Sequence, residues 1–199
     1  RCNYQAPAIA TQIAETGRPF SGLGGWSDNE TRLFNVILKM RTGDPLRRYD
    51  MYTLLKYYPG QVLATAEELK SYRLTDKPPV TKALYEIMRT PNPVAYIKAP
   101  GKLFNMKIMQ ALKIRNTPVK TQDLEKVRVL TIHGAKGAEA DTVFLHTGIT
   151  PKINKSIKIP GPDSEAEARV WYVGITRAKE RLYLVKDKGK NYGLPVVVS

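Results

Sequence analysis

Two stretches decide the fold: VRVLTIHGAKGAEADTVFL at residues 127–145 and EARVWYVGITRAKERLYLV at residues 167–185. The first opens on an apolar run, VRVLTI (127–132), suited to a buried parallel strand, because strands covered on both faces are continuously apolar. A glycine-bearing turn, HGAKGAEAD, follows, and a second strand is predicted over 141–149. Residues 151–163, PKINKSIKIPGPD, are polar and proline-bearing and read as a loop. A helix is predicted over 165–178, a third strand over 180–185 and a fourth over 194–198. Strand, turn, strand, helix, strand with unbroken apolar strands predicts an α/β fold with a mostly parallel sheet.

Upstream, the pattern changes. Residues 4–16 read as a helix with Pro7 in its first turn, and Ile9, Ala10 and Ile13 on its apolar side. RPFSGLGG (18–25) reads as a short buried strand running into a turn. Ser27 or Asp28 can cap a helix over 29–41, where Leu33, Phe34, Val36, Ile37 and Met40 recur at helical spacing. The sequence GDP at 43–45 ends it. Residues 46–120 carry little strand-like alternation; helices are predicted over 49–58, 65–72, 80–88 and 103–114, as a helical insertion with its own small core.

Composition narrows the function classes. The chain has 199 residues, 42% of them apolar and 25% charged, which is ordinary for a globular protein. Its one cysteine, Cys2, cannot form an internal disulfide, which excludes a disulfide-framework domain. No run of 18 apolar residues exists to span a membrane. The first residues, RCNYQAPAIA, show neither a signal-peptide core nor an initiator Met, so a piece of a longer protein is expected.

The charge is less ordinary: 32 Lys and Arg against 18 Asp and Glu give +14, which makes a polyanion partner plausible. From Arg89 to Lys120 there are seven basic residues and no acid (Arg89, Lys98, Lys102, Lys107, Lys113, Arg115, Lys120). Tyr96 and Phe104 are interleaved with them. Cations with exposed rings would hold single-stranded nucleic acid. The reading favoured here puts the two rings in a small core and the lysines near phosphate.

No GxxxxGK[ST] loop is present, so the chain has no Walker A of its own. His133 and His146 beside one remote cysteine are poor material for a metal site. Two clusters remain. Thr131, His133, Lys136, Gly137, Glu139 and Asp141 fall at the C-terminal end of a predicted strand, where open α/β sheets bind ligands. The amides of that turn can approach an anion, and Glu139 can accept from a ribose hydroxyl. Thr176-Arg177 precedes a strand, and an arginine there can hold a phosphate bidentately. The plainer alternatives are turn capping for Glu139 and Asp141, and a salt bridge from Arg177 to Glu167.

Together the two opening stretches resemble motifs V and VI of the UvrD/Rep/PcrA family of superfamily 1A DNA helicases. RCNYQAPAIATQIAETGRPFSGLGG (1–25) resembles motif IVa, in which a strand ending in R-x-N and a helix lead to a glycine pair. The resemblance implies the second RecA-like lobe, 2A, of the P-loop-NTPase type. Its first part would span 1–42, a short 2B-like insertion 43–124, and its second part 125–199. It implies that Arg177 is the arginine finger, that Glu139 holds the ribose beside Gly137, and that Gly174 and Thr176 support the arginine's loop. Arg1, Asn3, Thr131, His133 and Lys136 would lie along single-stranded DNA, and Glu167, Arg169 and Tyr172 would be supporting positions.

The implied cofactors are ATP and Mg2+, both held mainly by an N-terminal RecA-like lobe. The implied partners are that lobe and single-stranded DNA or its junction with duplex. The implied setting is the cytoplasm at the nucleoid, or a host cytoplasm for a virus-encoded enzyme. The chain departs from the family in placing Ala138 and Ala140 around Glu139, where a bulky residue is common, and in keeping only Arg169, after Ala168, of a frequent arginine pair. Two other readings stay open: the helicase lobe of an AddA- or RecB-like helicase–nuclease, and a motor-free DNA-binding module.

Overall fold

The computed structural model describes residues 5–97 and 101–186. Arg1, Asn3, Lys98 and the strand predicted at 194–198 lie outside the described residues. The chain forms two compact units, one of Arg1–Ala8 with Leu130–Ser199 and one of Ile9–Val129. Helix α1 (Gln5–Glu15) runs from the first into the second.

In the unit Ile9–Val129, strand β1 (Ser21–Gly22) lies parallel to β2 (Arg128–Val129), and between them come α2 (Asp28–Thr42), α3 (Arg48–Tyr57), α4 (Lys82–Arg89), α5 (Lys102–Ile114) and α6 (Thr121–Glu125). The ladder is short because β1 ends at Gly22, whose φ of +88° turns the chain. A Cβ there would sit 2.1 Å from the Val129 carbonyl oxygen, so only glycine fits. The apolar run 127–132 therefore contributes two ladder residues rather than six.

Helix α2 is the axis of this unit. Ser27 and Glu30 form a capping box at its start, and Gly43, in the left-handed conformation, donates its N–H to Lys39 O at its end. Leu33, Phe34, Val36 and Ile37 are fully buried, apolar around more than one face, as a helix surrounded by others must be. Met51 and Leu54 of α3, Leu84 and Met88 of α4 and Ile108 of α5 complete the core. Each such side chain stabilises the fold by about 1.5–3 kcal/mol relative to exposure. Arg41 of α2 donates to the carbonyls of Met88 and Thr90 at 2.8 and 2.7 Å, satisfying the C-terminal end of α4. Asn35 exchanges two hydrogen bonds with the backbone of Val119.

The helix predicted over 65–72 is a single 3-10 turn, Glu68–Lys70, preceded by reciprocal Thr65–Glu68 bonds. Of the two rings expected in a small core, Phe104 packs on Tyr57 with centroids 5.8 Å apart, but Tyr96 is 59% exposed.

Lys107, in the middle of the acid-free basic run, is buried. Its ammonium meets three oxygens: Glu30 Oε1 at 2.6 Å, Gly25 O at 2.6 Å and Gly24 O at 3.3 Å. Both charged side chains are nearly inaccessible, 4% for Lys107 and 6% for Glu30. Lys107 is thus a structural cation and leaves the basic field. Arg115 is also engaged, with Asp123 at 3.0 Å. Arg89, Lys102, Lys113 and Lys120 are exposed.

In the other unit, β3 (Ala140–His146) lies parallel to β4 (Ala178–Val185), and between them come α7 (Pro151–Ser156) and α8 (Pro162–Ile175). The parallel α/β expectation holds, as two separate two-stranded ladders among the described residues. Ile132, Leu145, Ile149 and Trp171 form its core, with Val143, Val173 and Leu182 packed against it. The expectation of a loop at 151–163 is corrected: Pro151 and Pro162 each stand in the first turn of a helix. There a proline's missing N–H costs nothing. The Thr150 side chain caps α7 by accepting from Ile153 N at 3.3 Å.

Lys107→Ala is expected to lower unfolding free energy by about 3–5 kcal/mol, because it strands a buried carboxylate. Lys113→Ala, at an exposed site, should change it by less than about 0.5 kcal/mol; equal urea midpoints for the two variants would refute the contrast. The hydrogen bond from Lys120 N, then that from Arg115, pull the Asp123 carboxyl down to about 2. Its contribution is complete above the unfolded carboxyl's ordinary range and fades as pH falls toward about 2. Thermal melts of Asp123→Asn should therefore lie below those of the unsubstituted chain at pH 7 and converge with them near that acid limit.

Candidate nucleotide and nucleic-acid site

The turn after residue 130 is held by its own short-range bonds. Thr131 Oγ accepts from Gly134 N at 2.9 Å, Ala135 N donates to Thr131 O at 3.0 Å, and Ala138 N donates to Ala135 O at 3.0 Å. One 3-10 turn, His133–Ala135, results. His133 and Lys136 are exposed on it, whereas the Thr131 hydroxyl is occupied in the turn. Gly137 follows at φ +79° with nothing within 4 Å of where its Cβ would stand, so its backbone is open to a ligand.

Arg177 ties this turn to the end of α8. Its Nη1 donates to Ala138 O at 3.2 Å, its Nε to Val173 O at 3.0 Å and its Nη2 to Thr176 Oγ at 3.0 Å. Its own carbonyl accepts from Ala140 N at 3.0 Å. Residues 138 and 140 are therefore both bonded to Arg177, and Glu139 is fixed between them. These bonds use three of the five guanidinium N–H donors. None of the three goes to Glu167, which accepts from Trp171 Nε1 at 3.0 Å inside the core.

The Glu139 carboxylate is 55% exposed and lies 3.7 Å from an equally exposed Lys179. A pair of that kind contributes little and yields readily to a ligand. An arginine with spare donors, an open glycine backbone and an exposed carboxylate on one scaffold suit a ligand with both phosphate and hydroxyl groups. Among the described residues no three His, Cys, Asp or Glu side chains gather.

Thr176 accepts from Arg177 and donates to Tyr172 O at 2.9 Å, so it orients the arginine from the last turn of α8. Gly174 faces inward, where a Cβ would lie 3.1 Å from Leu145 Cδ1 and 3.5 Å from Ile132 Cδ1. Its place is in the packing of α8 on β3, beneath the arginine. Arg169 is exposed and pairs with Glu165 at 3.3 Å, and Tyr172 is 68% exposed.

Reading the sequence missed the stack of Phe144 on Tyr183, with centroids 4.9 Å apart and planes 12° from parallel, on the outward face of the β3–β4 ladder. The register Phe144↔Tyr183 follows from pairing two predicted strands, but their order in space was not in the pattern. Gly174→Ala should destabilise the fold by about 1–3 kcal/mol through overpacking. Gly137→Ala meets no atoms and should cost only about 1 kcal/mol of backbone strain; a larger loss for Gly137 than for Gly174 in paired denaturation curves would contradict this placement.

The UvrD-like helicase C-terminal domain family matches residues 48–189. A probable DNA helicase II homolog of Rickettsia conorii is 36% identical over 93 residues, which is 45% of this chain and 14% of that protein. The ATP-dependent DNA helicase PcrA of Bacillus subtilis is 37% identical over 67 residues, covering 32% of this chain and 9% of the helicase. The RecBCD enzyme subunit RecB of Chlamydia pneumoniae is 44% identical over 64 residues, 32% of this chain and 5% of that subunit. The chain thus spans 14% or less of the length of these relatives. No solved structure gives a significant match. A family match over most of the chain, across both segments that build the Arg177 site, decides its membership: the chain belongs to the UvrD-like helicase C-terminal domain family.

Proposed function

We propose that this chain is the C-terminal part of an ATP-dependent 3′ to 5′ DNA helicase or translocase, a RecA-like 2A lobe of the P-loop-NTPase type. The observation that carries the reading is the Arg177 clamp, which fixes Glu139 and a glycine turn around a guanidinium with donors to spare. Relatives named as ATP-dependent helicases support it. Residues 1–42 and 125–199 would be the two parts of the lobe and 43–124 a short 2B-like insertion. Helix α2, which packs among α3, α4 and α5, would join the two.

In this reading ATP supplies the terminal phosphoryl group whose transfer to water powers movement. Arg177 directs its two unused N–H groups at the charge that grows on that group, the arginine-finger contribution. Glu139 accepts from a ribose hydroxyl, displacing Lys179, and Gly137 lets the backbone come close. Thr176 holds the guanidinium in plane, and Gly174 keeps α8 seated beneath it. Mg2+ and the attacking water would be held by an N-terminal RecA-like lobe.

Single-stranded DNA would run past Thr131, His133 and Lys136, with Arg1 and Asn3 as further contacts. Because the turn bearing Lys136 is bonded to Arg177 through Ala138, a shift in either is felt by the other. The match to a RecB subunit favours one second reading, the helicase lobe of a helicase–nuclease, which nuclease assays of the intact protein would distinguish.

Replacing Arg177 with Ala in the intact protein should lower DNA-stimulated ATP turnover by roughly 10³–10⁵-fold, with little change in affinity for a fluorescent ATP analogue. Turnover within a few-fold of normal, in a variant that still melts cooperatively, removes Arg177 from the chemistry.

A further inference from the structure

The helical unit Ile9–Val129 carries a cleft of about 280 Å³ whose walls include Tyr57, Tyr58, Pro59, Gln61, Ile87 and Tyr96. It is smaller than the ~300–1,000 Å³ of pockets that take drug-sized ligands, so it suits one flat ring rather than a whole cofactor. Tyr58 is its rigid floor: the side chain is 3% exposed and its hydroxyl donates to Pro93 O at 2.9 Å. Burial pushes that hydroxyl well above its ordinary pKa, so it stays a neutral donor. Tyr96 is the opposite kind of wall, 59% exposed at the end of the 3-10 turn Pro93–Tyr96.

The polar groups fit the same guest. Thr81 Oγ donates to Gln61 Oε1, which orients the amide, and Gln61 Nε2 makes no bond among the described residues. It is a free donor at the rim, suited to a ring oxygen or nitrogen. Lys56 Nζ lies 5.4 Å from the Tyr57 centroid, a cation held over an aromatic face. Arg89 is exposed two residues beyond Ile87, and Lys102 is exposed at the start of α5, whose Phe104 packs on Tyr57. Glu86 is the single acid of α4, and no acid follows between Arg89 and Lys120. Cations flanking a stacking platform are what a polyanion with planar side groups requires.

We propose that this cleft holds one unpaired base of single-stranded nucleic acid, stacked on the exposed ring of Tyr96, with the adjacent phosphates toward Lys56, Arg89 and Lys102. The site lies on the helical insertion, and it rests on the reading that the protein binds single-stranded DNA. It gives the insertion a grip of its own on an unpaired strand, set by ring stacking and insensitive to base identity beyond the one donor of Gln61.

The test uses the intact protein and a single-stranded deoxyoligonucleotide carrying 5-iodouracil. Irradiation should cross-link it to Tyr57 or Tyr96, mapped by mass spectrometry. Tyr96→Ala should weaken binding about 5- to 100-fold, the range for removing one stacked base. The slope of affinity against salt should stay unchanged, because no phosphate contact is lost. Tyr96→Trp should restore binding, which a ring needed only for packing would not do. Lys102→Ala should instead lower the salt slope. Tight, salt-dependent binding by the unsubstituted protein with no cross-link in the cleft and no loss in Tyr96→Ala overturns this site while sparing the DNA reading. No binding by the unsubstituted protein overturns both.

Discussion

A lysine ammonium buried beside a carboxylate is expensive unless every donor is met, and in this chain the three donors of Lys107 are met by Glu30, Gly24 and Gly25. The helical unit is organised around that condition. Glu30 can accept from Lys107 because it already belongs to the capping box that starts α2. Gly24 and Gly25 can offer their carbonyls because the turn between β1 and α2 is tight. At Gly24 that tightness brings Ala10 within 2.6 Å of the position a Cβ would occupy. The sequence SGLGGWSDNE is thus one device, a turn, a cap and an acceptor set, and α5 supplies the cation that closes it.

The other unit is organised by the Arg177 side chain, with one difference in exposure. Lys107 spends all its hydrogen-bonding capacity on the fold. Arg177 spends three of five N–H groups and stays half-buried with the remainder. The same two residue types appear in the sequence as members of a basic excess, and burial divides them into a structural cation and a candidate for chemistry. Net charge says that a polyanion is plausible; it does not say which cations face it.

Legibility in the sequence followed how local the cause is. Helices α2, α4 and α5 are written in caps and spacing within their own residues, as in Ser27 with Glu30 and Thr81 ahead of Lys82. Strands β3 and β4 are likewise visible as apolar runs. The α7 segment was masked by prolines, which read as breakers until Thr150 shows that Pro151 stands in the first turn of a capped helix. The length of β2 was out of reach, because it is set by Gly22, more than a hundred positions away in the chain. At the site, the proximity of Glu139 and Arg177 came from resemblance. The bonds of Arg177 to Ala138 and Ala140, which bracket Glu139, depend on how α8 returns to the sheet and leave no mark in either motif alone.

The half-committed guanidinium of Arg177 has a consequence for how it would meet an anion in the proposed reading. A free arginine loses about 2 kcal/mol of rotamer entropy when it is immobilised. Here the planar group is already oriented by Val173, Ala138 and Thr176, so that loss belongs to folding rather than to encounter. The fork also reaches three acceptors in different directions, which an ammonium on a flexible stem would not do while still presenting donors outward. The loop alone therefore requires arginine at this position, because only a rigid planar fork bonds Val173, Ala138 and Thr176 at once.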